Sequence, residues 1–190
     1  MRPWTNGDLI LKDREEYWVF DFASRDTIAL AAGYAQPFER LKKVVMPERL
    51  KNADERLRRL WWLHRRNGED MRVGVKPLSR MICTPRVSKY RIFVWLSTVF
   101  LPDTATYVFA RSDDYFFGIL HSRLHEVWAR AQGTQVRERE SGFRYTPTTC
   151  FETFPFPEGG TPEETKHYGT GTRCAATPRQ GLPVAHVKEP

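Results

Sequence analysis

No apolar run in the chain approaches the ~18 residues that a membrane-spanning helix needs, and the opening Met1-Arg2-Pro3-Trp4-Thr5-Asn6 lacks the apolar stretch of a secretory signal. The sequence therefore reads as having no membrane partner. Cysteine is scarce: Cys83, Cys150 and Cys174 are odd in number, far apart and free of C-x-x-C pairs. That excludes a disulfide scaffold and reads as reduced thiols in a cytoplasmic protein; a zinc site would have to draw ligands from distant segments. The only G-x-G is Gly169-Thr170-Gly171, with no strand before it and no helix after it, which argues against a phosphate-cradling loop. Pro-Pro does not occur at all.

Convergent catalytic groups are equally scarce. Pro102-Asp103 with Glu164-Thr165-Lys166 imitates a metal-dependent nuclease motif, but its halves are far apart, and the second falls in Gly- and Pro-rich sequence. His121 and His125 sit at helical spacing beside Glu126 without a nearby third ligand, so a packing role for surface histidines is the simpler reading. No catalytic residue, metal site or cofactor is expected in this chain.

What the sequence does have is positive charge in one place. The 190 residues carry 30 Lys+Arg against 23 Asp+Glu, a net +7. Residues 39–66 hold a net +6 and residues 67–100 a net +4, so the rest of the chain is net acidic. A field concentrated in this way attracts a polyanion, because each cation that meets a phosphate releases condensed counterions. A solvated helix with a basic exposed face would give the same numbers for 39–66.

The patterning indicates an α+β fold with a mixed or antiparallel sheet flanked by helices. Tyr17 to Phe22 reads as a buried strand, and Thr27–Tyr34 as a helix. Phe38–His64 shows a longer helical pattern that should kink or restart at Pro47. Met71–Val75 reads as loop or short strand, and Arg80–Thr84, Tyr90–Leu96 and Ala105–Ala110 as strands. Ser112-Asp113-Asp114 caps a helix carrying Phe117, Leu120, Leu124, Val127, Trp128 and Ala131, which Gly133 ends. Trp128, Phe151 and Phe154 read as core. Residues 1–157 are taken as one domain; 158–190, rich in Gly and Pro and without periodicity, read as a disordered or truncated tail.

The best binding constellation lies between Lys76 and Arg91, where Arg80, Thr84, Arg86, Ser88, Lys89 and Arg91 alternate with apolar residues across a presumed strand-turn-strand. Cations and hydroxyls at such an edge hold phosphates and read base edges. A basic hairpin with no ligand has the same composition.

These segments also carry a resemblance. In order along the chain stand Arg2-Pro3-Trp4-Thr5-Asn6-Gly7-Asp8-Leu9, Trp18-Val19-Phe20-Asp21-Phe22, Val45-Met46-Pro47-Glu48-Arg49, Trp61-Trp62, Thr84-Pro85-Arg86-Val87-Ser88-Lys89 and Leu101-Pro102-Asp103. Tyr115 to His125 with Trp128, and the run Arg144-Tyr145-Thr146-Pro147-Thr148-Thr149-Cys150-Phe151-Glu152-Thr153-Phe154-Pro155-Phe156-Pro157, complete the set. Over about residues 1–165 the chain resembles the target recognition domain of MmeI-like type II restriction-modification enzymes and related adenine-specific DNA methyltransferases. The resemblance implies a module that selects a sequence in double-stranded DNA. Joined to the basic constellation above, it makes Arg86, Lys89 and Arg91 the expected contacts, with Arg80, Thr84, Ser88 and Arg144 beside them. It also implies that the chemistry lies elsewhere in the parent, in a methyltransferase domain or subunit that binds S-adenosylmethionine and holds the flipped adenine on an N-P-P-Y motif. Family members continue into helices beyond Phe156-Pro157, so the resemblance implies a truncated product or one piece of a split enzyme. The alternative is a protein-interaction subunit that docks on a separately encoded methyltransferase.

Overall fold

The computed structural model describes residues 1–12, 17–23, 27–65, 68–135 and 142–157. The tail beyond 157, with Glu164, Lys166 and Cys174, lies outside the described residues. The chain falls into two compact units, one of Met1–Arg2 with Trp18–Glu69, the other of Pro3–Tyr17 with the residues from Asp70 onward.

The first unit is helical: α2 (Ile28–Ala32), α3 (Ala35–Val44), α4 (Met46–Leu50) and α5 (Glu55–Arg59). Phe22, Ala31, Phe38, Trp61 and Trp62 form its core, with Leu41, Met46 and Leu60 packed around them. The helical pattern over Phe38–His64 restarts beside Pro47, as expected, with Val45 between α3 and α4; a second, unexpected break follows Leu50. The second break is set by Asp54, whose Oδ1 accepts the Arg56 backbone N–H at 2.9 Å, a side-chain cap that starts α5 afresh. Strand β2 (Tyr17–Val19) is shorter than expected and not buried: Tyr17 and Trp18 are 53% and 55% exposed.

The second unit is built on an antiparallel sheet in the order β5 (Val94–Ser97), β3 (Arg80–Pro85), β7 (Thr106–Phe109), with Ile82 opposite both Trp95 and Phe109. The central strand β3 is covered on both faces. Ile82 faces a core shared with Phe93, Tyr107, Phe109, Phe116, Leu120, Tyr145 and Phe151. Met81 and Cys83 face another with Val108, Ala110, Met71 and Val75. Residues 71–75, expected as loop or strand, belong to helix α6 (Glu69–Val75); Met71 and Val75 stand one helical turn apart and are both buried. Strand β1 (Arg2–Thr5) pairs in parallel with β6 (Leu101–Pro102), and helix α1 (Gly7–Lys12) follows it.

The helix expected from Asp114 to Gly133 is two helices, α7 (Asp114–His121) and α8 (Arg123–Gln132). Ser122 is extended and its Oγ accepts the His125 N–H at 3.2 Å. This cap shifts the phase, so His125 and Ala129 are buried while Leu124 and Val127 are 77% and 58% exposed. A small antiparallel ladder completes the unit: β4 (Val87–Ser88), β9 (Phe143–Arg144) and β8 (Thr134–Gln135), with Val87 opposite Arg144 and Ser88 opposite Phe143. A π-helical turn, Pro147–Phe151, buries Cys150 and Phe151. No helix among the described residues is long and apolar enough to cross a membrane.

Candidate nucleic-acid interface

The Lys76–Arg91 segment does not fold back on itself as a hairpin. β3 pairs with β5 and β7, whereas β4, one residue later, pairs with β9. Arg86 stands at the crossing, its N–H donating to Ala105 O at 2.8 Å and its carbonyl accepting from Tyr145 N at 2.9 Å. One chain thus connects the core sheet to the basic ladder.

That crossing divides the expected residues between interior and surface. Thr84, Ser88 and Arg91, expected among the DNA contacts, are buried. Thr84 Oγ1 donates to Ile92 O at 2.6 Å, and Ser88 Oγ donates to Tyr90 O at 2.6 Å. Arg91 Nη1 donates to Thr84 Oγ1 at 2.8 Å and to Pro85 O, and Nη2 reaches Phe143 O at 3.4 Å. Its guanidinium lies over the rings of Phe143 and Tyr145, 4.9 and 5.0 Å from their centroids. Burial lowers its pKa to about 10, so it stays charged at neutral pH. With its donors aimed at these internal partners, this cation ties β3 to β9 and is closed to a phosphate.

Arg80 is held differently. Its Nε and Nη2 donate to Ser112 O at 3.1 and 2.8 Å, Nη2 also meets Asp114 Oδ1 at 3.0 Å, and the guanidinium stacks 3.9 Å from the Trp95 ring centre. It clamps the start of β3 to the start of α7, about 20 Å along the strand from Arg86.

Arg86 and Lys89 flank β4 directly, and Arg144 of β9 stands opposite Val87 between them. Arg144 and Lys89 are exposed and Arg86 is half-buried. Burial pushes the Tyr107 hydroxyl up, against the positive fields of Arg86, Arg144 and Arg91, so one phenol senses three guanidinium groups. Cations gathered on one short ladder are suited to oxyanions such as phosphate. The helical unit has its own basic surface in Arg40, Lys43, Arg56 and Arg59, all exposed. Its acids take up only part of the charge, in exposed pairs such as Lys51–Glu48 at 2.9 Å and Lys42–Glu39 at 3.7 Å.

No group of three or more metal-ligating side chains exists among the described residues. His121 and His125 diverge: His121 Nε2 lies 2.7 Å from Phe93 O, whereas His125 is fully buried, its Nδ1 2.9 Å from Leu120 O and its Nε2 3.1 Å from Tyr145 Oη. His125 is therefore an interior histidine and not the surface one expected. Asp103 caps the turn into β7, its Oδ1 accepting from Ala105 N at 2.8 Å.

Sequence reasoning passed over the residues that support the ladder. Gly142 adopts a positive φ of +87°, and a Cβ there would lie 2.3–2.4 Å from the backbone of Ser88 and Lys89. Tyr145 is fully buried and receives both His125 and Arg91. A glycine directly before a strand was the available signal for the first; nothing local marks the second.

Comparison with known proteins places this architecture. The type IIL restriction-modification enzyme MmeI, solved in complex with DNA, shares the fold with a TM-score of 0.61 at 20% identity, over 87% of this chain and 21% of that one. DNA methyltransferase A of Bacillus subtilis (strain 168) is 36% identical over 52 residues, which are 27% of this chain and 6% of that protein. The chain thus spans only a small part of the length of either relative. The family model described as MmeI, target recognition domain, matches residues 38–158, well over half of the sequence. The chain belongs to the MmeI target recognition domain family.

Proposed function

We propose that this chain selects a sequence in double-stranded DNA, using Arg86, Lys89 and Arg144 on the β4–β9 ladder as its direct contacts. The observation that carries the reading is the gathering of these cations on one short ladder inside the region matched by the family. The basic face of α3–α5 adds sequence-independent attraction to phosphate. Thr84, Ser88 and Arg91 set the ladder's geometry from within, and Arg80 fixes the far end of β3. The parent enzyme is an adenine-specific methyltransferase of the cytoplasm, with or without a nuclease. Its methyltransferase domain binds S-adenosylmethionine, and this chain contributes recognition and no chemistry.

The test is a binding titration of Arg86→Ala, Lys89→Ala and Arg144→Ala against several duplexes at two salt concentrations. A guanidinium that reads a guanine costs about 1–3 kcal/mol when removed and relaxes choice at one position; loss of a phosphate contact weakens all sequences alike. Unchanged binding in all of them would dispose of the assignment. A second reading, docking on a separately encoded methyltransferase, draws support from Leu124 and Val127, exposed together on one face of α8. Co-purification with a methylase and no retention of DNA by the chain alone would favour it.

A further inference from the structure

Beyond the last residues of β4, only Lys89 and Tyr90 face solvent before the chain turns inward again at Arg91. Tyr90 is 63% exposed, whereas its flanks Ser88 and Arg91 are 5% and 8% exposed. Single exposed aromatics are common and need no explanation. This one stands on a tip whose backbone is fixed from three directions. Ser88 Oγ closes the turn by donating to Tyr90 O at 2.6 Å. Gly142 packs directly beneath, so close to Ser88 and Lys89 that a Cβ would overlap their backbone. Arg91 anchors the exit through Thr84, Pro85 and Phe143. A ring carried on a fixed backbone has only its own side-chain freedom to lose on binding, which is how a recognition surface gains affinity without added area.

The neighbourhood indicates what the ring meets. Lys89 Nζ lies 5.7 Å from the Tyr90 ring centre, and β4 carries Val87 opposite Arg144. A flat, amphipathic ring beside a cation, next to the ladder that presents Arg144, matches the paired demands of a duplex groove: an apolar thymine methyl or sugar next to an anionic phosphate. We infer that Tyr90 is a DNA-contacting, specificity-determining residue, its ring packing against a base edge, such as a thymine methyl, in a groove while Lys89 takes the adjacent phosphate. This rests on the DNA-recognition reading above and adds to it a residue that carries no charge.

Charge neutrality makes the inference separable. Duplexes retained by the full chain from a pool randomised through its centre serve as the probe, titrated against wild type, Tyr90→Ala, Tyr90→Phe and Arg144→Ala at several salt concentrations. Tyr90→Ala is expected to bind about tenfold more weakly, the order of one aromatic ring's apolar contact, with an unchanged salt slope and an unchanged unfolding midpoint. Tyr90→Phe, which keeps the ring, is expected to bind as the wild type does. Wild-type affinity in Tyr90→Ala alongside weakened Arg144→Ala overturns the inference and leaves the DNA reading standing. A wild-type chain that retains no duplex overturns both.

Discussion

A guanidinium removed from water keeps its charge only where other groups replace the lost hydration, and Arg91 is the residue at which this exchange organises the ladder. Its hydrogen bonds reach β3, through Thr84 and Pro85, and β9, through Phe143. Replacing it with Met removes those donors from buried acceptors; a loss of about 3 kcal/mol is expected, measured by chemical denaturation. Gly142→Ala acts from the other side. Its positive φ alone costs about 1–3 kcal/mol for a side chain, and the overlap with Ser88 and Lys89 forces the tip to move. The expected result is a lower unfolding midpoint together with weakened DNA binding.

His125 gives the residue scale a pH dependence. Burial lowers its pKa from the ordinary 6.5 to about 4, so the folded ring stays neutral and accepts from the Tyr145 hydroxyl while donating to Leu120 O. Between those values the unfolded chain binds a proton that the folded chain does not. Its contribution is intact above pH 6.5, falls away as the pH drops towards 4, and changes no further below that. It amounts to about 3 kcal/mol. Denaturation curves at neutral and acid pH should show a steeper acid loss in the wild type than in His125→Asn; equal losses would contradict the assignment. Arg86, Lys89 and Arg144 were legible in the sequence as surface cations. The inward turn of Thr84, Ser88 and Arg91 was not, because it depends on Phe143 and Tyr145, partners more than fifty residues further along the chain.

At the scale of elements, short polar side chains decide where helices begin. Asp113 accepts the Phe116 N–H at 2.8 Å and also meets Arg111 Nε at 2.8 Å, with both side chains buried or nearly so. Asp113→Ala therefore removes a cap, worth about 1 kcal/mol, and a buried ion-pair partner, which raises the total to about 3 kcal/mol or more. Thermal unfolding checks it, and a shift no larger than an ordinary cap's would show that Arg111 does not depend on this carboxylate. The strands β3 and β7 and the start of α7 were readable because their β-branched and aromatic runs and the Asp113 cap are local signals, whereas the strand expected over Tyr90–Leu96 begins only at Val94. The division of α7 from α8 was missed for an equally local reason: apolar spacing continues across Ser122, while the serine's own hydrogen bond to His125 resets the phase. In α6 the turn-spaced Met71 and Val75 were a local helical signal, but a seven-residue segment is too short for apolar spacing alone to separate helix from strand.

For the whole molecule, the sequence concentrates its positive charge in residues 39–100, and each of the two units displays part of it. The helical unit carries exposed Arg40, Lys43, Arg56 and Arg59, suited to a phosphate backbone. The ladder of the other unit carries Arg86, Lys89 and Arg144 on a frame locked by Arg91 and Gly142, suited to discrimination. The residues that carry the family resemblance were all present in the sequence; the distinction between contact and frame required the fold. The most direct test of DNA recognition by the ladder is the dependence of binding on salt for the full chain and for the variant combining Arg86→Ala, Lys89→Ala and Arg144→Ala. The wild type should prefer some duplexes over others, and its slope of log affinity on log salt should exceed the variant's by about 2–3, with the preference gone in the variant. Equal slopes and equal preferences in a folded variant would contradict it.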